Sequence, residues 1–92
     1  MAVIKFFDRM FRHMDLMDRM MDTLGVTARI KAVPGAANVL RRATIRCMGC
    51  DSTKACGAFL DSHESADDAP AYCRNHDLFE RLKRQIDAEQ AA

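Results

Sequence analysis

The sequence has neither a long apolar run nor a convincing alternation of apolar and polar residues. No segment approaches the roughly 20 consecutive apolar residues that a membrane-spanning helix needs, so we expect no membrane span. The N-terminal segment carries Asp8, Arg9 and Arg12 where an export signal would need an unbroken apolar stretch. These absences predict a cytoplasmic protein, and the lack of alternating runs and hairpin dipeptides argues against a β-sheet.

The chain also lacks a charge excess and a recognisable catalytic motif. With 14 basic and 13 acidic side chains it offers no overall field that would attract nucleic acid. The basic run "RRATIR" has no interleaved aromatic residues, which makes it a weak footprint for phosphate or nucleic acid. There is no Gly-rich phosphate loop and no nucleophile motif. We therefore predict a protein that is not an enzyme and that binds no nucleic acid.

Helical periodicity is what the sequence does contain. From residue 3 to residue 24 apolar residues recur at alternating spacings of four and three, which places them on one face of a helix. The residues of this stripe are Val3, Phe7, Met10, Met14, Met17, Met21 and Leu24. Gly25 is well placed to end the helix, because glycine readily adopts the left-handed conformation of a C-terminal cap.

Three further helices are predicted downstream. The second covers "AANVLRRATIRCM", and the third covers "TKACGAFLD" after a cap at Asp51 or Ser52. The last covers "HDLFERLKRQIDAEQ", with Asn75 as its cap. A chain of 92 residues has room for one domain only. We therefore predict an all-α fold over residues 1–92, a small bundle of about four helices with a cysteine metal site at the helix ends.

Four cysteines are the most informative feature of the chain. They follow the spacing C-x2-C-x5-C-x16-C and are Cys47, Cys50, Cys56 and Cys73. Because intracellular thiols are kept reduced, we expect this set to bind a metal rather than to form disulfides. A two-residue gap lets both thiolates of a turn face one metal centre, and it occurs in zinc and iron-sulfur sites alike.

The spacing of the cysteines is compatible with two kinds of metal centre. Structural zinc sites are commonly built from two short cysteine pairs, whereas sixteen residues separate Cys56 from Cys73. This asymmetry favours a [4Fe-4S] cluster, which spreads its ligands over a larger body, with Zn²⁺ as the alternative. If zinc is bound, His63 or His76 could replace one cysteine. Basic side chains near the cysteines would stabilise a negatively charged cluster. They are Arg41, Arg42, Arg46, Lys54 and Arg74.

Two resemblances bear on these residues. The segment "CMGCDSTKAC" is similar to the cluster loop of endonuclease III-type DNA glycosylases, which hold a [4Fe-4S] cluster. This chain has Leu40 where that family has its remaining cysteine, so the likeness implies a spacing compatible with a cluster and no glycosylase activity.

Nearly the whole chain resembles a family of small bacterial proteins of unknown function. The likeness lies in "LG" after a Met-rich helix, in "RC-x2-C-x5-C-x2-FL" and in "AP-x-YCRN-x3-F-x2-L". It implies that the four cysteines form a unit with the final helix, and it brings no assigned activity.

Methionine is abundant, with seven residues in the chain. Four of them lie on the N-terminal stripe: Met10, Met14, Met17 and Met21. Helical spacing of this kind is typical of a packed core rather than of a copper site. A stripe this long can exceed what a short bundle covers, so these four residues are also candidates for binding a protein partner or a second copy. His13 has no ligand or base partner at useful spacing, and we expect it to be exposed.

The hypothesis that follows is a small iron-sulfur protein that binds one [4Fe-4S] cluster for electron transfer or redox sensing. The alternative is a zinc-stabilised helical adaptor that binds a protein partner through its Met-rich helix.

Overall fold

The computed structural model describes residues 2–91, and within that range the side chains of all residues except 2, 3, 32, 90 and 91. It contains four α-helices: α1 (Ala2–Thr23), α2 (Ala36–Met48), α3 (Thr53–Ser62) and α4 (His76–Ala91). A short 3-10 helix (Ile30–Ala32) lies between α1 and α2. No strand occurs in residues 2–91, so the predicted all-α fold is confirmed, and none of these helices combines the length and apolarity needed to cross a bilayer.

The core forms where the second half of α1 meets the other helices. Its buried side chains recur three and four residues apart on α1 and α4, as expected for helices with one apolar face. The buried apolar residues are Leu16, Met17, Met20, Met21, Leu24, Val26, Ile30, Val33, Ala43, Leu60, Ala69, Phe79, Leu82 and Ile86. On α4 the buried residues are Phe79, Leu82 and Ile86, and Leu78 is half-buried.

The predicted stripe of α1 divides into two halves. Met17 and Met21 are buried in the core, so the packed-core interpretation is right for them and they offer no surface to a partner. Met10 is half-buried and Met14 is exposed. Phe7 is also exposed, and the side chain of Val3 lies outside the described residues. The bundle therefore covers only the C-terminal half of the stripe.

Gly25 ends α1 as the sequence predicts. Its φ is +74°, in the left-handed region that residues with a Cβ rarely adopt. The N–H of Gly25 donates to the carbonyl of Asp22 at 3.0 Å, and the N–H of Val26 donates to the carbonyl of Met21 at 2.9 Å. This pair of hydrogen bonds is the Schellman motif, which satisfies carbonyls that the helix itself leaves free.

Replacing Gly25 by alanine is expected to lower the free energy of unfolding by about 1 kcal/mol, because the Cβ strains the left-handed backbone. Gly57 is the matched control, since it lies inside α3 without positive φ and with nothing within 4 Å of an added Cβ. Alanine there favours the helix by up to about 1 kcal/mol. Urea denaturation of both variants checks the prediction, which is contradicted if the two changes have the same sign.

Asn75 stands at the start of α4, but its side chain does not cap the helix. Its carbonyl accepts from the N–H of Phe79 at 2.8 Å, which is the position of an N-cap residue. The side-chain Nδ2, however, donates to the carbonyl of Ala43 in α2 at 2.8 Å, and Asn75 is only 2% exposed. Asn75 therefore ties the start of α4 to the middle of α2.

Candidate metal centre

The fold brings the four cysteines to one cavity. Cys47 lies in the last turn of α2, Cys50 in the loop that follows, Cys56 in α3 and Cys73 just before α4. All four are free thiols of intermediate burial, and all four line the same cavity between the helices. Residues from three separate segments of the chain thus meet in one place.

The walls of this cavity are mostly apolar side chains from α1 and α4. The other lining residues are Leu16, Met17, Met20, Tyr72, Arg74, Asn75 and Phe79. Helical spacing places Leu16, Met17 and Met20 on one face of α1, so the same side chains form the core and the wall of the cavity. A wall of this kind limits the access of water to the sulfur atoms.

Hydrogen bonds hold the cysteine side chains in place. The thiol of Cys47 donates to the carbonyl of His13 at 3.3 Å, which connects α2 to α1. The backbone N–H of Ser52 donates to Sγ of Cys50 at 3.4 Å. The backbone of Asn75 also hydrogen-bonds the Cys73 thiol, which lowers the pKa of Cys73 although burial raises it overall. Backbone N–H groups directed at sulfur are a recurrent feature of thiolate metal sites.

His13 is buried beside this site, and the prediction that it is exposed is wrong. It is 4% exposed, with Nδ1 at 2.8 Å from the carbonyl oxygen of Arg9. Its Nε2 lies 3.2 Å from the carbonyl oxygen of Cys50. The ring therefore fixes the Cys50 loop against α1. The signal for this was the spacing, because His13 precedes Leu16 by three residues and Met20 by seven and so shares their buried face.

The environment of the cysteines disfavours negative charge on them. Burial raises the pKa of Cys47 to about 11, and the neighbouring thiols of Cys50, Cys73 and Cys56 add to the rise. Burial likewise raises the pKa of Cys56 to about 11, with further contributions from Cys73 and Cys50. Without a cation these thiols therefore stay protonated at neutral pH, and four thiolates could lie together here only with a bound cation to offset their repulsion.

These shifts predict that the metal-free protein loses stability as the pH rises from 9 toward about 11. An ordinary cysteine titrates near 9.0, whereas Cys47 and Cys56 in the folded chain titrate at about 11. Between these values the unfolded chain has released protons that the folded chain retains, so the free energy of unfolding falls. Urea denaturation with reductant and chelator across this window measures the slope. A Cys47→Ala/Cys56→Ala variant should show a flatter profile, and an equal slope in both proteins would contradict the prediction.

Of the five basic side chains predicted to lie near the cysteines, one lines the cysteine cavity. Arg74 lines the cavity, whereas Arg42 and Arg46 line a different cleft between α2 and α4. Lys54 lines a surface cleft beside α3, and Arg41 is exposed. Arg19, which the sequence did not single out, acts on the site: its charge partly offsets the rise in the pKa of Cys56.

The two histidines considered as zinc ligands are held elsewhere. The ring of His63 stacks on Phe59 with centroids 4.2 Å apart. His76 places Nε2 at 2.8 Å from Asp68 and Nδ1 at 3.0 Å from Asp77, and these carboxylates, Asp77 first, raise the pKa of His76. Neither histidine lines the cysteine cavity.

The spacing of the sulfur atoms can be compared with that of a zinc site. Four sulfurs about 2.3 Å from one Zn²⁺ in a tetrahedron lie about 3.8 Å from one another. Among the described side chains, a group of three ligand atoms within 4.8 Å of one another occurs at His76, Asp77 and Glu80, and not among the four cysteines. No three of the four cysteine sulfurs therefore lie as close together as in a zinc tetrahedron.

Comparison with known proteins places the chain in a family but assigns it no activity. No curated protein and no solved structure matches it. Residues 4–85, a segment that contains all four cysteines, match a family of unknown function, DUF6455. This confirms the resemblance to an uncharacterised family, while the likeness of the cysteine segment to endonuclease III-type glycosylases stays a prediction. The chain belongs to the family of unknown function DUF6455.

Proposed function

We propose that this protein binds one [4Fe-4S] cluster through Cys47, Cys50, Cys56 and Cys73, and that it serves in electron transfer or redox sensing. The observation that carries the proposal is the convergence of four thiols on one apolar cavity, at separations wider than a zinc tetrahedron. When bound, such a cluster supplies one-electron redox chemistry. Four cysteine ligands leave no iron site open for a substrate, which favours a redox role over Lewis-acid catalysis.

The chain's own residues would tune such a centre in three ways. The apolar side chains of Leu16, Met20 and Phe79 exclude water from the sulfurs. Backbone N–H groups of Ser52 and Asn75 donate to the sulfurs of Cys50 and Cys73, which stabilises added negative charge. The proposal requires a reducing compartment such as the cytoplasm, where the thiols stay available.

The decisive experiment is an absorption spectrum with iron, sulfide and zinc analysis on protein purified without oxygen. We expect a brown sample with about four irons and four sulfides per chain, bleached by dithionite. A colourless sample with about one zinc per chain would contradict the cluster and support the zinc-stabilised alternative.

A second role, binding to a second copy or to another protein, is favoured by the N-terminal half of α1. Four of its exposed apolar residues recur at spacings of three and four, the pattern of a helix–helix interface. They are Ile4, Phe7, Phe11 and Met14. The rings of Phe7 and Phe11 stack with centroids 6.3 Å apart, so the patch is continuous. This surface shares Met14 with the predicted set of Met10, Met14, Met17 and Met21. Binding through it is the function that would remain if the metal is Zn²⁺.

The double variant Phe7→Asp/Phe11→Asp is expected to abolish self-association through this patch while leaving the fold intact, because both rings are exposed. Sedimentation velocity over a range of protein concentrations measures the effect. The control Lys5→Asp/Arg9→Asp also introduces two aspartates into α1, but away from the apolar stripe, on residues that line a cleft of mostly polar side chains. An identical concentration dependence in all three proteins would contradict a homodimer through this patch.

A further inference from the structure

A second cleft lies between α2 and α4, away from the cysteines. Three arginines line it: Arg42 and Arg46 from α2, and Arg81 from α4. The rest of the lining is Val39, Leu78, Leu82 and Gln85. The sequence showed only the arginines of the "RRATIR" run, which made a weak phosphate footprint, and the fold adds Arg81 from a distant segment.

The charges in this cleft are poorly compensated. Arg42 and Arg46 are four residues apart on one helix, where like charges repel. No carboxylate lines the cleft, and none of the three arginines makes an ion pair with a described residue. Asp77 is close enough for Arg81 and Arg46 to lower the pKa of its carboxyl, but its closest partner is His76 at 3.0 Å. One shared carboxylate does not balance three guanidinium groups.

We propose that this cleft binds a phosphate group, either free or as the monoester of a small molecule. A guanidinium presents two parallel N–H donors that match two phosphate oxygens, and a monoester offers three strong acceptors with a charge of about −2. The apolar floor of Val39, Leu78 and Leu82 leaves room for the carbon chain of an ester.

The size and lining of the cleft separate this ligand from larger ones. Its volume is about 180 Å³, below the roughly 300–1,000 Å³ of pockets that hold whole cofactors or drug-sized ligands. It contains no aromatic residue, whereas surfaces for single-stranded nucleic acid stack bases on aromatic rings. No cysteine lines it, so the site is independent of the proposed cluster.

The test is a titration of the full chain, with its metal as purified, with inorganic phosphate at constant ionic strength. The arginine Nε–H signals are followed by ¹H–¹⁵N correlation spectra. We expect saturable shifts at Arg42, Arg46 and Arg81 that share one dissociation constant.

Arg81→Gln and Arg42→Gln, one on each helix, should each weaken binding about tenfold, since each removes a charge-assisted contact. Arg84→Gln is the matched control, because Arg84 lies on α4 outside the cleft and pairs with Glu80. It should change binding by less than about twofold.

A parallel titration with glycerol phosphate identifies the source of the phosphate. Tighter binding of the ester indicates a phosphorylated small molecule, and tighter binding of inorganic phosphate indicates free phosphate; both support the site. The proposal is overturned if phosphate shifts these signals no more than chloride does, or if Arg84→Gln weakens binding as much as Arg81→Gln. A response to a single-stranded oligonucleotide without one to phosphate would also overturn it, in favour of nucleic acid.

Discussion

Replacement of Cys73 by serine is expected to remove the proposed iron-sulfur cluster and most of the stability that this metal centre would provide. Cys73 is the only cysteine after α3, and it precedes α4 directly. A serine hydroxyl is harder and less acidic than a thiol, so it is a poor ligand for this site. Iron content should fall from about four per chain toward zero, with loss of the brown colour. Anaerobic iron analysis and urea denaturation of the variant and the parent measure both effects.

Two histidine variants control for indirect effects of this substitution. His63→Ala and His76→Ala change the residues that could replace a cysteine at a zinc site, and neither ring lines the cavity. Both proteins should keep the metal content of the parent. Full iron in the Cys73→Ser protein would show that the fourth ligand lies elsewhere, and loss of metal from either histidine variant would favour a mixed zinc site.

Replacing Phe79 by alanine is expected to lower the free energy of unfolding by about 3–5 kcal/mol. Phe79 is 2% exposed and packs in the core, so the substitution removes its contacts and leaves a void. The same ring lines the cysteine cavity, and its loss admits water and oxygen to the sulfurs. We therefore expect faster bleaching of the proposed cluster in air. Urea denaturation and the rate of absorbance loss are the two measurements.

Another phenylalanine provides the matched comparison. Phe11 is 60% exposed, so Phe11→Ala should change the free energy of unfolding by less than about 0.5 kcal/mol and leave the bleaching rate unaltered. Phe79→Leu, which keeps most of the buried volume, should restore much of the stability. Equal losses in the Phe79→Ala and Phe11→Ala proteins would mean that Phe79 is not part of the core.

Most of the fold could be predicted because its signals are local. The sequence placed α2 at residues 36–48, where the structure has it, from apolar spacing between a glycine and the cysteine turn. Gly25 ends α1 because the Schellman motif depends on one residue and its immediate neighbours. Cys47 and Cys50 could be predicted to face one site because a short gap within a turn restricts where their side chains can point.

The contacts between segments could not be predicted in the same way. Asn75 was expected to cap α4, and its side chain instead binds the carbonyl of Ala43, a group that only the packing of α4 on α2 brings near. Capping strength is a property of one helix, whereas this hydrogen bond depends on two. Arg81 joins Arg42 and Arg46 for the same reason, because α4 packs beside α2. The apolar periodicity of a single helix therefore cannot predict such contacts.

α1 contains none of the four cysteines, yet it contacts the cysteine site at two places. The carbonyl of His13 accepts a hydrogen bond from the Cys47 thiol, and its ring contacts the Cys50 loop. The exposed rings of Phe7 and Phe11 lie on the same helix, within two turns of His13. Because linkage is reciprocal, a partner that binds at these rings and distinguishes the oxidised from the reduced form of the proposed cluster would shift its midpoint potential by the equivalent free energy. Titrations of the potential with and without a binding protein would therefore report this coupling directly.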